Sequence, residues 1–193
     1  MVEKTPFSDS ELNISRLEGD DFNDLKDFSC GTECLDQFFH NEIELCAKYK
    51  YLSPYCAKIG DEIVGVFTLA ADALMLETDD KEDFPNMNEE YRDIFPRQTS
   101  FPAINIGHLG VKSGLQSKRI GEQIVRFVVA TFSQFNGAGC QFITVDSLNN
   151  PRTNKFYSRL GFYNQSNNDS TKPTRRMYLD IFLPIEEMEE EEA

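Results

Sequence analysis

Ile104-Asn105-Ile106-Gly107-His108-Leu109-Gly110-Val111 runs straight into Lys112-Ser113-Gly114-Leu115-Gln116-Ser117-Lys118-Arg119-Ile120-Gly121. The first eight residues have the apolar, β-branched character of a strand, and the next ten make a polar turn that opens a helix. From Arg119 to Phe135, apolar positions recur at helical spacing at Ile120, Ile124, Phe127, Val128, Thr131 and Phe135. Gln141 to Val145 reads as another strand. Strand, helix, strand predicts a right-handed crossover between parallel strands.

Working outward, Leu12 to Leu17 reads as a first strand, and Asp20 with Asp21 are capping residue types ahead of a short helix through Phe28. Leu35, Phe38, Phe39, Ile43 and Cys46 then predict one helix from Thr32 to about Tyr49. Tyr55 to Ile59, the Gly60-Asp61 turn and Ile63 to Leu69 read as a β-hairpin. Residues 77–100 are rich in Asp, Glu, Pro and Asn and read as an exposed insert with a helical turn or two around Glu89 to Ile94. Asn150 to Leu160 reads as a helix stopped by Gly161, and Arg176 to Phe182 as a closing strand.

A chain of 193 residues suits one domain, here expected over 1–185, with 186–193 a disordered acidic tail. The formal charge is −14, with Glu186, Glu187, Glu189, Glu190, Glu191 and Glu192 in the tail. An acidic body repels phosphate backbones and favours cationic partners. Cys30, Cys34, Cys46, Cys56 and Cys140 are an odd set, and neither a secretory leader nor a long apolar run accompanies them. A reduced, cytoplasmic protein away from membranes is the expectation. No second Cys/His pair follows the Cys30/Cys34 spacing, so no metal is expected.

The turn from Gln116 to Gly121 feeds a helix N-terminus, where backbone N–H groups and the positive dipole end suit a pyrophosphate; Lys118 and Arg119 add charge. This stretch resembles the acyl-CoA loop of the GNAT acetyltransferases, which is Gln or Arg, two residues, Gly, one residue, then Gly or Ala. Gln116 and Gly121 match, whereas Arg119 stands at the family's Gly and puts a side chain where the backbone approaches the pyrophosphate. Pairing of Arg119 with a CoA phosphate is the compensation expected. Asn150-Pro151-Arg152-Thr153-Asn154-Lys155-Phe156-Tyr157-Ser158-Arg159-Leu160-Gly161-Phe162 resembles the family's segment in which Asn opens a helix and Tyr closes it before Gly-Phe.

The resemblance implies an α+β fold: a mixed, mostly antiparallel sheet flanked by helices and splayed at the cofactor site. It implies acetyl-CoA held by Leu109, Val111, Gln116, Ser117, Lys118, Arg119, Ile120, Gly121 and Asn150. Gly107 and Gly110 would ease a bulge that exposes the strand backbone to the thioester. Tyr157 becomes the acid that protonates the leaving thiolate, with plain packing as its other reading, and Asn150 has helix capping as its own. His108 is a candidate base toward the amine, with Asp72, Glu77 or a water relay equally open.

A narrower likeness runs through Phe28-Ser29-Cys30-Gly31, Leu35-Asp36-Gln37-Phe38, Ile63 to Ala70, Phe95-Pro96-Arg97 and Pro102. These resemble GNAT toxins of bacterial toxin–antitoxin modules, which acetylate aminoacyl-tRNA and are held by a ribbon-helix-helix antitoxin. The 19 Lys and Arg against 33 Asp and Glu count against tRNA, although Lys172, Arg175 and Arg176 form a local basic cluster. The expected activity is therefore acetyl transfer to a primary amine, cationic by charge complementarity. Aminoacyl-tRNA, a catalytically idle CoA- or partner-binding module, an antitoxin partner and a homodimer stay open.

Overall fold

The computed structural model describes residues 12–75, 99–166 and 171–182. Most of the acidic insert read at 77–100, with Glu77 and the helical turn expected around Glu89 to Ile94, and the tail lie outside these residues. Seven strands form one sheet: β1 (Leu12–Arg16), β2 (Ser53–Ile59), β3 (Glu62–Met75), β4 (Ser100–Val111), β5 (Phe142–Leu148), β6 (Tyr163–Asn164) and β7 (Thr174–Asp180), in the order β1-β2-β3-β4-β5-β7-β6. The pairings β1–β2, β2–β3, β5–β7 and β6–β7 are antiparallel. Helices α1 (Asp21–Asp24), α2 (Glu33–Asn41), α3 (Ile43–Lys48), α4 (Ile120–Gln134) and α5 (Pro151–Arg159), with 3-10 turns at Leu25–Asp27 and Ser113–Leu115, complete the described elements. The chain clusters into two compact units, Met1–Ala70 with Ile106–Val128 and Ala71–Asn105 with Val129–Ala193.

In the first unit, the hairpin of β2 and β3 turns on Gly60 and Asp61, with Ile59 opposite Glu62 and Gly60 at φ 60°. That left-handed position suits glycine, as the sequence predicts. Leu17, Leu25, Phe28, Phe38, Phe39, Ile43, Leu52, Cys56, Ile63 and Val66 make one buried cluster. The expected single helix from Thr32 to Tyr49 is instead two, broken at Glu42, whose φ is −119°. The backbone ladder still runs through the break, Glu42 donating its N–H to Phe38 and Cys46 its own to Glu42, each at 3.0 Å, and the Asn41 side chain adds a bond to the Gln37 carbonyl at 3.0 Å. Asp20 does not cap α1, since its backbone is already helical and its side chain makes no cap bond. Asp21 reaches back instead, accepting from the Glu18 N–H at 3.1 Å.

Over β3, a Cβ on Gly65 would lie 2.8 Å from Cδ1 of Ile124 and 3.6 Å from Cγ2 of Ile120. The space a side chain would fill is taken by the Cδ1 end of Ile124 from α4.

In the second unit, β5 and β7 pair from Phe142 opposite Asp180 to Leu148 opposite Thr174, and β6 adds Tyr163 opposite Tyr178. Leu74, Phe101, Ala103, Phe142 and Tyr178 form its buried cluster. Asn150 caps α5 with Pro151 in the first turn, and Gly161 stops it at φ 84°. Among the described residues, no helix is long and apolar enough to cross a membrane.

Candidate functional site

The segment from Gln116 to Gly121 leaves the 3-10 turn Ser113–Leu115 and enters α4 at Ile120. Ser117 has φ 64° and Arg119 φ 63°, both in the left-handed region that side chains disfavour. The sequence placed the departure from glycine at Arg119 in terms of crowding; the structure shows that the glycine's other service there is conformational. Two such residues next to a helix N-terminus curl the backbone in the manner of anion-binding nests. Ser117, Lys118 and Arg119 are exposed, Gln116 and Gly121 are half-buried, and Ile120 is buried in the core.

Gln116 does more than precede the loop. Its amide donates to the Cys30 carbonyl at 2.7 Å and to the Val111 carbonyl at 3.1 Å, tying the loop to the end of β4 and to the segment before α2. The sequence gives no hint of this partner 86 residues away. Ser113 donates its N–H to the Ser29 carbonyl at 3.0 Å, and Lys112 donates its own to Val64 at 2.9 Å. Lys112 also pairs with Glu62 at 2.5 Å.

In β4, Leu109 and Val111 are half-buried. Buried positions pass from Phe101 and Ala103 to Ile106 and Gly110, so the two-residue alternation slips once along the strand. Gly110 answers a packing demand: a Cβ there would lie 2.8 Å from Cε2 of Phe39 and 3.1 Å from Cβ of Cys30. Cys30 is thereby buried while Cys34 is exposed, so the two thiols of the tempting spacing face different surroundings.

His108 stacks on Phe38 with ring centroids 3.6 Å apart and 5° between planes. Thr68 Oγ1 accepts the His108 backbone N–H at 3.1 Å and lies 3.1 Å from Nδ1. Thr68 is 1% exposed, so the pair is shielded from water, and which of the two donates follows the tautomer of the ring. Burial pushes the imidazole pKa down, with the Glu42 carboxylate opposing.

In the second unit, Asn150 Oδ1 accepts from the Thr153 N–H at 3.0 Å and from its hydroxyl at 3.1 Å. Tyr157 is 6% exposed, edge-on to Phe156 and Phe162 at centroid distances of 4.9 and 5.2 Å. Burial pushes its phenol pKa up, so it stays protonated through the physiological range. Among the described residues its hydroxyl has no hydrogen-bond partner. Asp72, a candidate base by sequence, accepts from the Thr144 hydroxyl and pairs with Arg176, which also reaches Asp146 at 2.8 Å. Arg176, counted above in a basic cluster, is thus held between two carboxylates.

No curated protein sequence matches this chain. Among solved structures, a Tyr-to-Phe mutant of KacT is similar in fold, with TM-score 0.71 and 20% identity over 89% of this chain and 95% of its own. AtaT complexed with acetyl-methionyl-tRNAfMet is similar at TM-score 0.69 and 21% identity, over 88% and 94%. AtaTR bound with acetyl-CoA is similar at 0.66 and 21%, over 89% and 94%. The sequence pattern of the acetyltransferase (GNAT) family matches residues 16–162, spanning the Gln116–Gly121 loop and the Asn150–Phe162 segment alike. A seven-stranded sheet carrying both stretches, with the family's pattern laid across three quarters of the sequence, makes this chain a member of the acetyltransferase (GNAT) family.

Proposed function

We propose that this N-acetyltransferase holds acetyl-CoA by the backbone of Gln116 to Gly121 and passes the acetyl group to a primary amine with Tyr157 as the proton donor. Acetyl-CoA supplies the activated acyl group. The left-handed pair Ser117 and Arg119 at the mouth of α4 carries the reading, because strain of that kind persists where a ligand site needs it. Lys118 and Arg119 bring positive charge to the phosphates, and the backbone at Leu109 and Val111 receives the pantetheine amides and the developing oxyanion. The amine nitrogen forms the new C–N bond, the C–S bond breaks, and the Tyr157 proton goes to the departing thiolate. The surplus proton on nitrogen leaves to His108, whose imidazole burial favours in its neutral form, or through a water relay. Isothermal titration tests the loop: acetyl-CoA affinity unchanged in the Lys118→Glu/Arg119→Glu double variant overturns it.

The acidic composition favours a cationic acceptor, polyamine or lysine-rich peptide, drawn in more strongly at low ionic strength. A second reading, acetylation of aminoacyl-tRNA in the cytoplasm under control of an antitoxin, is favoured by the fold shared with AtaT complexed with acetyl-methionyl-tRNAfMet. Thiol release measured across polyamines, lysine-rich peptides and aminoacyl-tRNA separates the two. Size-exclusion chromatography with light scattering decides whether the enzyme works as a homodimer.

A further inference from the structure

The motif Ser29-Cys30-Gly31 with Asp36 has no place in the chemistry above, yet it meets the cofactor loop. Asp36, in the first turn of α2, accepts the Ser29 hydroxyl on Oδ2 at 2.7 Å and the Cys30 N–H on Oδ1 at 2.8 Å. The Ser29 hydroxyl in turn accepts the Gly31 N–H at 3.2 Å, and Gly31 sits at φ 77°. One carboxylate thus fixes three successive residues as a tight turn. Burial raises the Asp36 pKa, but the bonds from Ser29 and Cys30 outweigh it and hold the carboxyl below its ordinary value.

The outer side of that turn faces the loop. The Ser29 carbonyl takes the Ser113 N–H at 3.0 Å and the Cys30 carbonyl takes the Gln116 amide at 2.7 Å. A Cβ at Gly31 would lie 3.6 Å from Cβ of Ser113, so the two segments run in contact. Ser117 and Arg119 follow directly, and left-handed residues of this kind persist only where their surroundings over-determine them.

We infer that Asp36 is a positioning residue for acetyl-CoA binding: through the Ser29–Gly31 turn it fixes Ser113 and Gln116, and so the start of the strained loop. This inference rests on the reading of Gln116 to Gly121 as the pyrophosphate site. Asp36 touches no substrate; it acts through carbonyls it holds in place.

The test titrates full-length Asp36→Ala, Asp36→Asn, Gln116→Leu and the Asp36→Ala/Gln116→Leu double variant with acetyl-CoA, well below each unfolding midpoint. Loss of a charged hydrogen bond predicts about tenfold weaker binding for Asp36→Ala. Asp36→Asn, whose amide oxygen still accepts the Cys30 N–H, should stay within about threefold of wild type. Gln116→Leu should match Asp36→Ala, and the double variant should be no weaker than either, because both cut one chain of bonds. S-Acetylpantetheine, which lacks the pyrophosphate, should bind all four alike. If Asp36→Ala fails to fold, Ser29→Ala, which removes the hydroxyl that joins Asp36 to the Gly31 N–H, takes its place in the comparison with Gln116→Leu. Additive losses, or wild-type affinity in Asp36→Ala while Lys118→Glu/Arg119→Glu is weakened, overturn the role of Asp36 alone. Wild-type affinity in Lys118→Glu/Arg119→Glu as well overturns the loop reading beneath it.

Discussion

Thr68 holds His108 at two points, taking its backbone N–H and meeting its Nδ1, each at 3.1 Å. A ring so held and pressed on Phe38 is kept neutral, and its pKa lies below the ordinary 6.5. A depressed histidine favours the folded state above its unfolded pKa, and the advantage is lost as pH falls through the folded one. The wild-type unfolding midpoint should therefore drop relative to His108→Gln between pH 7 and pH 5, at roughly a unit's shift per 1.4 kcal/mol. Parallel melting curves of the two proteins would remove the effect from consideration.

Arg119 occupies a left-handed position that glycine fills at no steric cost. Arg119→Gly should raise the unfolding midpoint, the relief being about 1 kcal/mol, whereas Arg119→Ala should not. Both should weaken acetyl-CoA binding if the guanidinium serves a phosphate. Calorimetric scans with matched titrations distinguish the two contributions, and a Gly variant melting no higher than the Ala variant contradicts the account.

Tyr157→Phe keeps the edge-on packing against Phe156 and Phe162 and deletes the proton donor. Turnover should fall by about 10²–10⁴-fold, with acetyl-CoA affinity and unfolding midpoint nearly unchanged. A loss under about threefold would leave Tyr157 as a packing residue and thiolate protonation to water.

Asn150→Ala removes the oxygen that caps α5, at a cost of about 1 kcal/mol, while Asn150→Ser retains a capping oxygen. If capping is its whole service, the Ser variant should bind acetyl-CoA as wild type does. Weaker binding in both variants would give the side chain a direct part in holding the cofactor.

The hairpin, α4 and the capped helix α5 were legible because local rules determine them: Gly60 in a two-residue turn, a long apolar period, and Asn-Pro opening with Gly closing. The break at Glu42 was not, since the periodicity of Leu35 to Cys46 continues across it and so do the bonds from Glu42 to Phe38 and from Cys46 to Glu42. In the candidate site, a polar loop feeding a helix N-terminus is readable locally, whereas Tyr157 is singled out only by the resemblance of Asn150 to Phe162 to the family's segment. The partner of Gln116 could not be read, because a bond to Cys30 across 86 residues depends on tertiary packing and leaves no periodic trace. The pairing of Asp72 with Arg176, 104 residues further on, was hidden for the same reason.

Gly65 has a consequence for how this enzyme can be tuned. The strand leaves room at that point for Ile120 and Ile124, so the height of the helix above the sheet is set by a residue that never meets a ligand. A methyl group there would first meet the Cδ1 end of Ile124, so either that side chain turns aside or the helix gives way. A buried spacer that touches no residue of the loop thus bears on the helix that the loop opens.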